Sequence, residues 1–169
     1  LTENRAAIEE LIARGDCSWD GLMQPLERLE NRLAKAISPV AHLHAVTSTD
    51  DWRAAYEALL PALTAYASDL GQHEGLYRAI KRLRDSAAYP ALSAPRRKVV
   101  DDALKNFERS GIALAPAAKA RYKEISLRLA ELGTQFANNV LDATNAWHLH
   151  LADDSRLAGI PDSARALMA

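Results

Sequence analysis

The sequence of 169 residues contains a single cysteine, Cys17, and no apolar run of membrane-spanning length. A lone thiol cannot form an internal disulfide, which is typical of proteins that fold in a reducing compartment. A helix that crosses a bilayer needs about 20 consecutive apolar residues, so the sequence predicts no membrane span. The formal net charge of −1 gives no electrostatic reason to expect nucleic acid or a membrane surface as a partner.

The sequence also lacks the short motifs of several enzyme classes. It contains no Gly-x-Ser-x-Gly, no phosphate-binding glycine-rich loop and no dinucleotide fingerprint. His73 and Glu74 begin the zinc motif His-Glu-x-x-His, but Tyr77 occupies the position of its second histidine. The other histidines come in pairs two residues apart, His42 with His44 and His148 with His150. Two ligands do not close a metal site, so we expect no catalytic and no metal-binding residue in this chain.

Helical periodicity is present along almost the whole chain. The composition, 49% hydrophobic and 25% charged, is typical of one globular domain with one core. The longest stripe runs from Ala117 to Val140, where large apolar residues recur every three or four positions: Tyr122, Ile125, Leu129, Leu132, Phe136 and Val140. Such a helix is not stable alone in water, so we expect other helices to cover this stripe.

Capping and terminating residues predict the other helices. We expect N-caps at Thr2, Ser18, Thr49 and Ser93, and helix ends at Gly15, Gly71 and Gly111. Three prolines fall inside apolar stripes and should bend or break those helices: Pro25, Pro39 and Pro61. The predicted fold class is all-α, with about six to seven helices packed as an irregular antiparallel bundle.

The period changes after Asn145. Trp147, Leu149 and Leu151 alternate with more polar residues, which is a strand period, yet no second strand is apparent in the sequence. A helix then starts near Pro161 and runs into the last residue. We therefore divide the chain into a helical domain, 1–145, and a segment, 146–169, that combines a short unpaired extended stretch with a truncated helix. This pattern predicts a chain that continues beyond residue 169.

Four stretches, in the same order, resemble the thimet-oligopeptidase-like zinc metallopeptidases, and within them the bacterial oligopeptidase A branch. They are residues 38–43 (SPVAHL), 71–77 (GQHEGLY), 107–112 (FERSGI) and 132–144 (LGTQFANNVLDAT). The resemblance covers only the N-terminal helical region of that family. The zinc motif and its downstream Glu ligand belong to a C-terminal part that has no counterpart here, so no catalytic or metal residue is carried over.

The resemblance implies a parent enzyme that hydrolyses short peptides in the cytoplasm, with zinc bound outside this chain. This region would be non-catalytic, would form one wall of the substrate channel, and would have its own C-terminal catalytic domain as its partner. His73, Glu74 and Tyr77 lie in a matched stretch, and they either face the channel or serve as a helix cap and turn. The alternative function is a free-standing helical module that binds other proteins. A metal-binding bundle is the weakest interpretation, because the ligand spacings fail.

Overall fold

The computed structural model describes residues 1–151 and 153–168, and within them it contains seven α-helices and no strand. The helices are α1 (Thr2–Arg14), α2 (Gln24–Val46), α3 (Asp50–Gly71), α4 (Glu74–Arg84), α5 (Ala94–Arg109), α6 (Pro116–Ala146) and α7 (Asp162–Arg165). A π-helical turn, Trp19–Met23, precedes α2, and 3-10 turns occupy Tyr89–Ala91 and Asp154–Leu157. The all-α prediction is confirmed. The chain separates into two compact units, Leu1–Thr134 and Gln135–Ala169.

The core of the first unit forms around α4, which packs against α1, α5 and the π-helical turn. The apolar residues of α4 recur at helical spacing, so one face of this short helix enters the interior. The most deeply buried large side chains come from the π-helical turn, α4 and α5: Leu22, Met23, Leu76, Ile80, Leu83 and Val100. The residues of this core come from the stretch between Ile8 and Ile112.

The expectation that other helices cover the apolar stripe of α6 is wrong. All of α6 lies within the described range, and none of its residues is buried. In the first unit Leu129 is 63% exposed, and Ile125 and Leu132 are also exposed. This part of α6 instead turns toward the other helices of the unit the face that carries its own Lys119 and Lys123, both half-buried. At about 100° per residue this face points away from the stripe.

Several local signals behave as predicted. The Ser18 hydroxyl accepts a hydrogen bond from the Gly21 N–H at 2.9 Å, which caps the π-helical turn. Thr49 caps α3 in the same way, and Gly15 and Gly111 end their helices with φ of 72° and 79°. Thr2 is not a cap, because α1 begins at Thr2 itself with Leu1 in the cap position.

None of the three prolines breaks its helix. Pro25 lies in the first turn of α2, where a missing N–H costs little. Pro39 and Pro61 lie inside α2 and α3, and neither ends its helix. Each proline removes one backbone donor, and its helix continues on both sides.

In the second unit, residues 147–151 have no regular secondary structure and pair with no strand among the described residues, as expected for a short unpaired extended stretch. Trp147 is 72% exposed and Leu149 is 55% exposed. A strand needs a partner for its backbone groups, and the described residues supply none. The helix predicted near Pro161 is α7, a single turn. No helix among the described residues is long and apolar enough to cross a membrane.

Candidate functional site at a helix junction

Residues 71–77, the second stretch that carries the family resemblance, connect the end of α3 to the start of α4. The chain passes very close to the end of α5 at this point. A Cβ atom added to Gly71 would lie 2.6 Å from the Oγ and 2.7 Å from the Cβ of Ser110. The neighbouring Gln72 side chain donates a hydrogen bond to the Ser110 carbonyl oxygen at 3.0 Å. Glycine is required here because a side chain would push the two helix ends apart.

His73 links α1 to α4. Its Nδ1 accepts a hydrogen bond from the Leu76 N–H at 3.1 Å, so the imidazole ring caps the first turn of α4. Because Nδ1 accepts, the neutral ring carries its proton on Nε2, which lies 2.8 Å from Oε1 of Glu9 in α1. Both ring nitrogens are therefore engaged in contacts that join helices.

Glu74 links α4 to α6. Its Oε1 accepts a hydrogen bond from Lys119 Nζ at 3.0 Å, and Arg78 approaches its other oxygen at 3.5 Å. The hydrogen bond from Lys119 is the main reason that the pKa of the Glu74 carboxyl lies below its ordinary value. The carboxylate remains largely open to solvent, with 59% of the side chain exposed.

Tyr77 links α4 to α5. Its half-buried ring meets the Phe107 ring edge-on, with 5.7 Å between ring centroids, a favourable arrangement for two aromatic rings. The structure thus brings the three predicted site residues into one junction, but each contacts a different helix. His73 contacts α1, Glu74 contacts α6 and Tyr77 contacts α5.

Asp69 is a member of this junction that the sequence analysis missed. Its two carboxylate oxygens contact Arg5 of α1 at 2.9 Å and Lys123 of α6 at 2.6 Å. Partial burial alone would raise the pKa of Asp69, but the hydrogen bonds from Lys123 and Arg5 outweigh it and hold the pKa below its ordinary value. A usable sequence signal exists: Asp69 has no lysine or arginine three or four positions away on α3, so its cationic partners must come from other helices.

The arrangement around His73 does not fit a zinc site. Zinc sites in proteins use at least three side-chain ligands, usually His, Cys, Asp or Glu. No group of three or more such residues that could hold a metal occurs within residues 1–151 and 153–168. Both nitrogens of His73 already have partners.

A second candidate feature, which we call the central groove, lies among α2, α3, α4 and α5 and has a volume of about 540 Å³. Leu76 and Ile80 form part of its floor, although each is at most 1% exposed. Other lining residues are mainly apolar, and they include Leu26, Leu33, Ile37, Leu63, Leu70 and Phe107. Glu27 and Glu30 of α2 are the charged residues among the described lining side chains.

Comparisons with known proteins assign this chain to a protein family. A family model described as the neurolysin/thimet oligopeptidase N-terminal domain matches residues 1–119. The chain belongs to the neurolysin/thimet oligopeptidase family. Oligopeptidase A of Salmonella typhimurium is 46% identical over 98% of this chain and 25% of its own length. Oligopeptidase A of Escherichia coli is 45% identical over the same shares, and the probable cytosolic oligopeptidase A of Arabidopsis thaliana is 34% identical over 100% of this chain and 24% of its own length.

This member of the neurolysin/thimet oligopeptidase family spans about a quarter of the length of the curated relatives it matches. The family model ends in the first turn of α6, while the alignment with the Salmonella protein extends over 167 residues. The family resemblance read from the four sequence stretches is confirmed.

Proposed function

We propose that this chain is the N-terminal, non-catalytic helical region of a zinc-dependent metallo-oligopeptidase that hydrolyses short peptides in the cytoplasm. The observation that carries this proposal is the family match, together with relatives named oligopeptidase A that are about four times as long as the chain. The zinc ligands and the catalytic groups would lie in the part of those proteins that this chain does not represent.

We further propose that the helices form one wall of the substrate channel and that the junction at residues 71–77 keeps this wall rigid. His73, Glu74 and Tyr77 support a positioning role because each connects α4 to a different helix. Of these three residues, Glu74 has the most exposed environment and is the candidate to face the channel. His73 fits the helix-cap interpretation, since the Leu76 N–H and the Glu9 carboxylate occupy both of its nitrogens.

The exposed stripe of α6 supports a contact with the C-terminal catalytic domain of the same polypeptide. Leu129 alone leaves 63% of its surface in water, and Ile125 and Leu132 of the same unit are also exposed. Exposed apolar patches above a few hundred Å² commonly mark interaction surfaces. A free-standing interaction module would show such a stripe too, but the greater length of the relatives favours a contact within one longer protein.

A chimera tests the proposal. The matching N-terminal quarter of Salmonella oligopeptidase A is replaced by this chain, and hydrolysis of a fluorogenic short peptide is measured with and without a chelator. We expect chelator-sensitive hydrolysis by the chimera and none by the isolated chain, with or without added zinc. Chelator-sensitive turnover by the isolated chain would overturn the proposal, and so would a folded, zinc-loaded chimera without activity.

Two variants of the chimera test the α6 contact. Leu129→Glu places a charge in the stripe and should lower both activity and thermal stability of the chimera. Ala120→Glu, an exposed position on the same helix but outside the stripe, is the matched control and should leave both unchanged. Equal behaviour of the two variants would show that the stripe does not contact the catalytic part.

A further inference from the structure

We infer that the central groove binds a cationic amphipathic peptide segment, whose apolar side chains fill the groove and whose Lys or Arg pairs with the carboxylates of α2. This inference does not depend on the proposed function, because it concerns binding by this chain alone. In helix-in-groove recognition, an amphipathic helix lays its apolar face into a hydrophobic groove of the protein.

The size and lining of the groove match a peptide. Its volume of about 540 Å³ falls within the roughly 300–1,000 Å³ that is usual for small-molecule pockets, so it has room for several side chains of a peptide while the peptide backbone stays outside. The floor is preformed, because Leu76 and Ile80 of α4 belong to the buried core. The half-buried side chains of Leu33, Ile37 and Leu63 leave apolar surface that an occupant would remove from water.

The charge of the lining selects a cationic occupant. Glu27 and Glu30 lie one helical turn apart on α2, and no Lys, Arg or His is among the described residues that line the groove. Glu30 accepts a hydrogen bond from the Tyr66 hydroxyl at 2.7 Å. Burial, together with the bond to Glu30, raises the pKa of Tyr66 to about 12. Tyr66 is only 4% exposed, so water is partly excluded at this wall, and an ion pair formed there is less screened than one on an open surface.

A second copy of the chain is a poorer occupant than a separate peptide. The exposed stripe in the first half of α6 is the apolar face that a second copy could offer, and its neighbouring cations are Arg121 and Arg128. Arg121 is paired with Glu124 at 2.6 Å, and Arg128 with Glu131 at 2.6 Å. Each guanidinium group would have to leave its partner to reach the groove carboxylates, at a cost of up to about fivefold in affinity for each exposed pair.

Fluorescence anisotropy of a labelled peptide tests this inference. The probe is a short helical peptide of Leu, Ala and Lys, and the matched probe carries Glu in place of Lys. We expect the cationic peptide to bind at least about tenfold more tightly than the anionic one, with an affinity that falls as salt is raised. Glu27→Gln should weaken binding about two- to fivefold, as expected for a partly exposed ion pair.

Two alanines on α2 provide a matched pair of variants. Ala34 is exposed and lines the groove, whereas Ala36 is exposed and does not. Ala34→Lys puts a positive charge and a long side chain into the groove, and it should weaken the cationic peptide about tenfold or more. Ala36→Lys makes the same chemical change outside the groove, so its affinity should match that of the unmodified chain.

Three results would overturn the inference. Equal affinity for the two peptides would show that the carboxylates of α2 do not select a cationic peptide. Equal effects of Ala34→Lys and Ala36→Lys would place binding elsewhere on the molecule. Sedimentation showing a dimer that Ala34→Lys converts to a monomer would identify a second copy as the occupant. None of these results bears on the activity of the chimera, so the two proposals fail separately.

Discussion

Replacing Gly71 by alanine tests the close approach of α3 to α5. The added Cβ would lie 2.7 Å from the Ser110 Cβ, an atom attached directly to the backbone. Rotation of the Ser110 side chain cannot relieve this overlap, so the helix ends must separate. Overpacking of this kind costs about 1–3 kcal/mol. Separation would also weaken the Gln72 hydrogen bond to Ser110, worth about 1 kcal/mol, while the alanine returns a few tenths by restricting the unfolded chain.

The expected net loss in the free energy of unfolding is therefore about 1–3 kcal/mol, measured by urea titration followed by circular dichroism. In a thermal scan this corresponds to about 2–4 °C for each kcal/mol. Gly133→Ala is the matched control, because a Cβ at Gly133 meets no atom within 4 Å and the residue lies in α6. That substitution should stabilise the chain by about 0.4–1 kcal/mol.

A second substitution separates the clash from other effects of Gly71→Ala. Ser110→Gly removes both atoms that the new Cβ would meet, so the double variant should recover most of the lost stability. If Gly71→Ala is neutral or stabilising, the two helix ends are not in the close contact described above. If Ser110→Gly fails to rescue, the loss has another origin than this overlap.

Three further predictions concern the core and the junction. Ile80→Ala should lower the free energy of unfolding by about 2–5 kcal/mol because it leaves a cavity at a buried site. Leu129→Ala should change it by less than about 0.5 kcal/mol. Equal losses for the two variants in thermal scans would contradict the placement of the core around α4 and not α6. His73→Ala should cost about 1–2 kcal/mol through the lost helix cap, and His148→Ala, at an exposed residue, should cost nothing in the same urea assay. The pKa of Asp69 is lowered in the folded chain, so its contribution to the free energy of unfolding is present above the unfolded pKa near 3.8 and is lost as pH falls through the folded pKa. Asp69→Asn should therefore lower the urea midpoint at pH 7 but not at pH 2. An equal loss at both pH values would contradict this prediction.

Recognition of the candidate site from sequence was partial. The stretch 71–77 was identifiable by its resemblance to the family, and His73 as a possible cap by its position at a helix start. The partners of His73 and Glu74 could not be identified from the sequence, because Glu9 lies 64 positions before His73 and Lys119 lies 45 positions after Glu74. No local pattern encodes such pairs. The central groove could likewise not be predicted from the sequence, since four helices contribute to its lining.

The sequence by itself determined the helices, several of their ends and the family. These features depend on interactions within one or two turns: the Ser18 and Thr49 caps, the left-handed glycines, and apolar residues three or four positions apart. The family followed from ordered stretches of sequence that need no structure to be read.

Only the tertiary structure decided which apolar faces are buried. Periodicity made α6 the strongest candidate for the core, yet the much shorter α4 supplies three of its most deeply buried large side chains, Leu76, Ile80 and Leu83. An apolar stripe indicates that one face of a helix can be buried, but its burial depends on which other helices pack against that face. Contacts of Lys119 and Lys123 with Glu74 and Asp69 accompany an orientation of α6 in which its stripe points to solvent. That orientation is a property of groups distant in sequence, and it therefore appears only when the chain is folded.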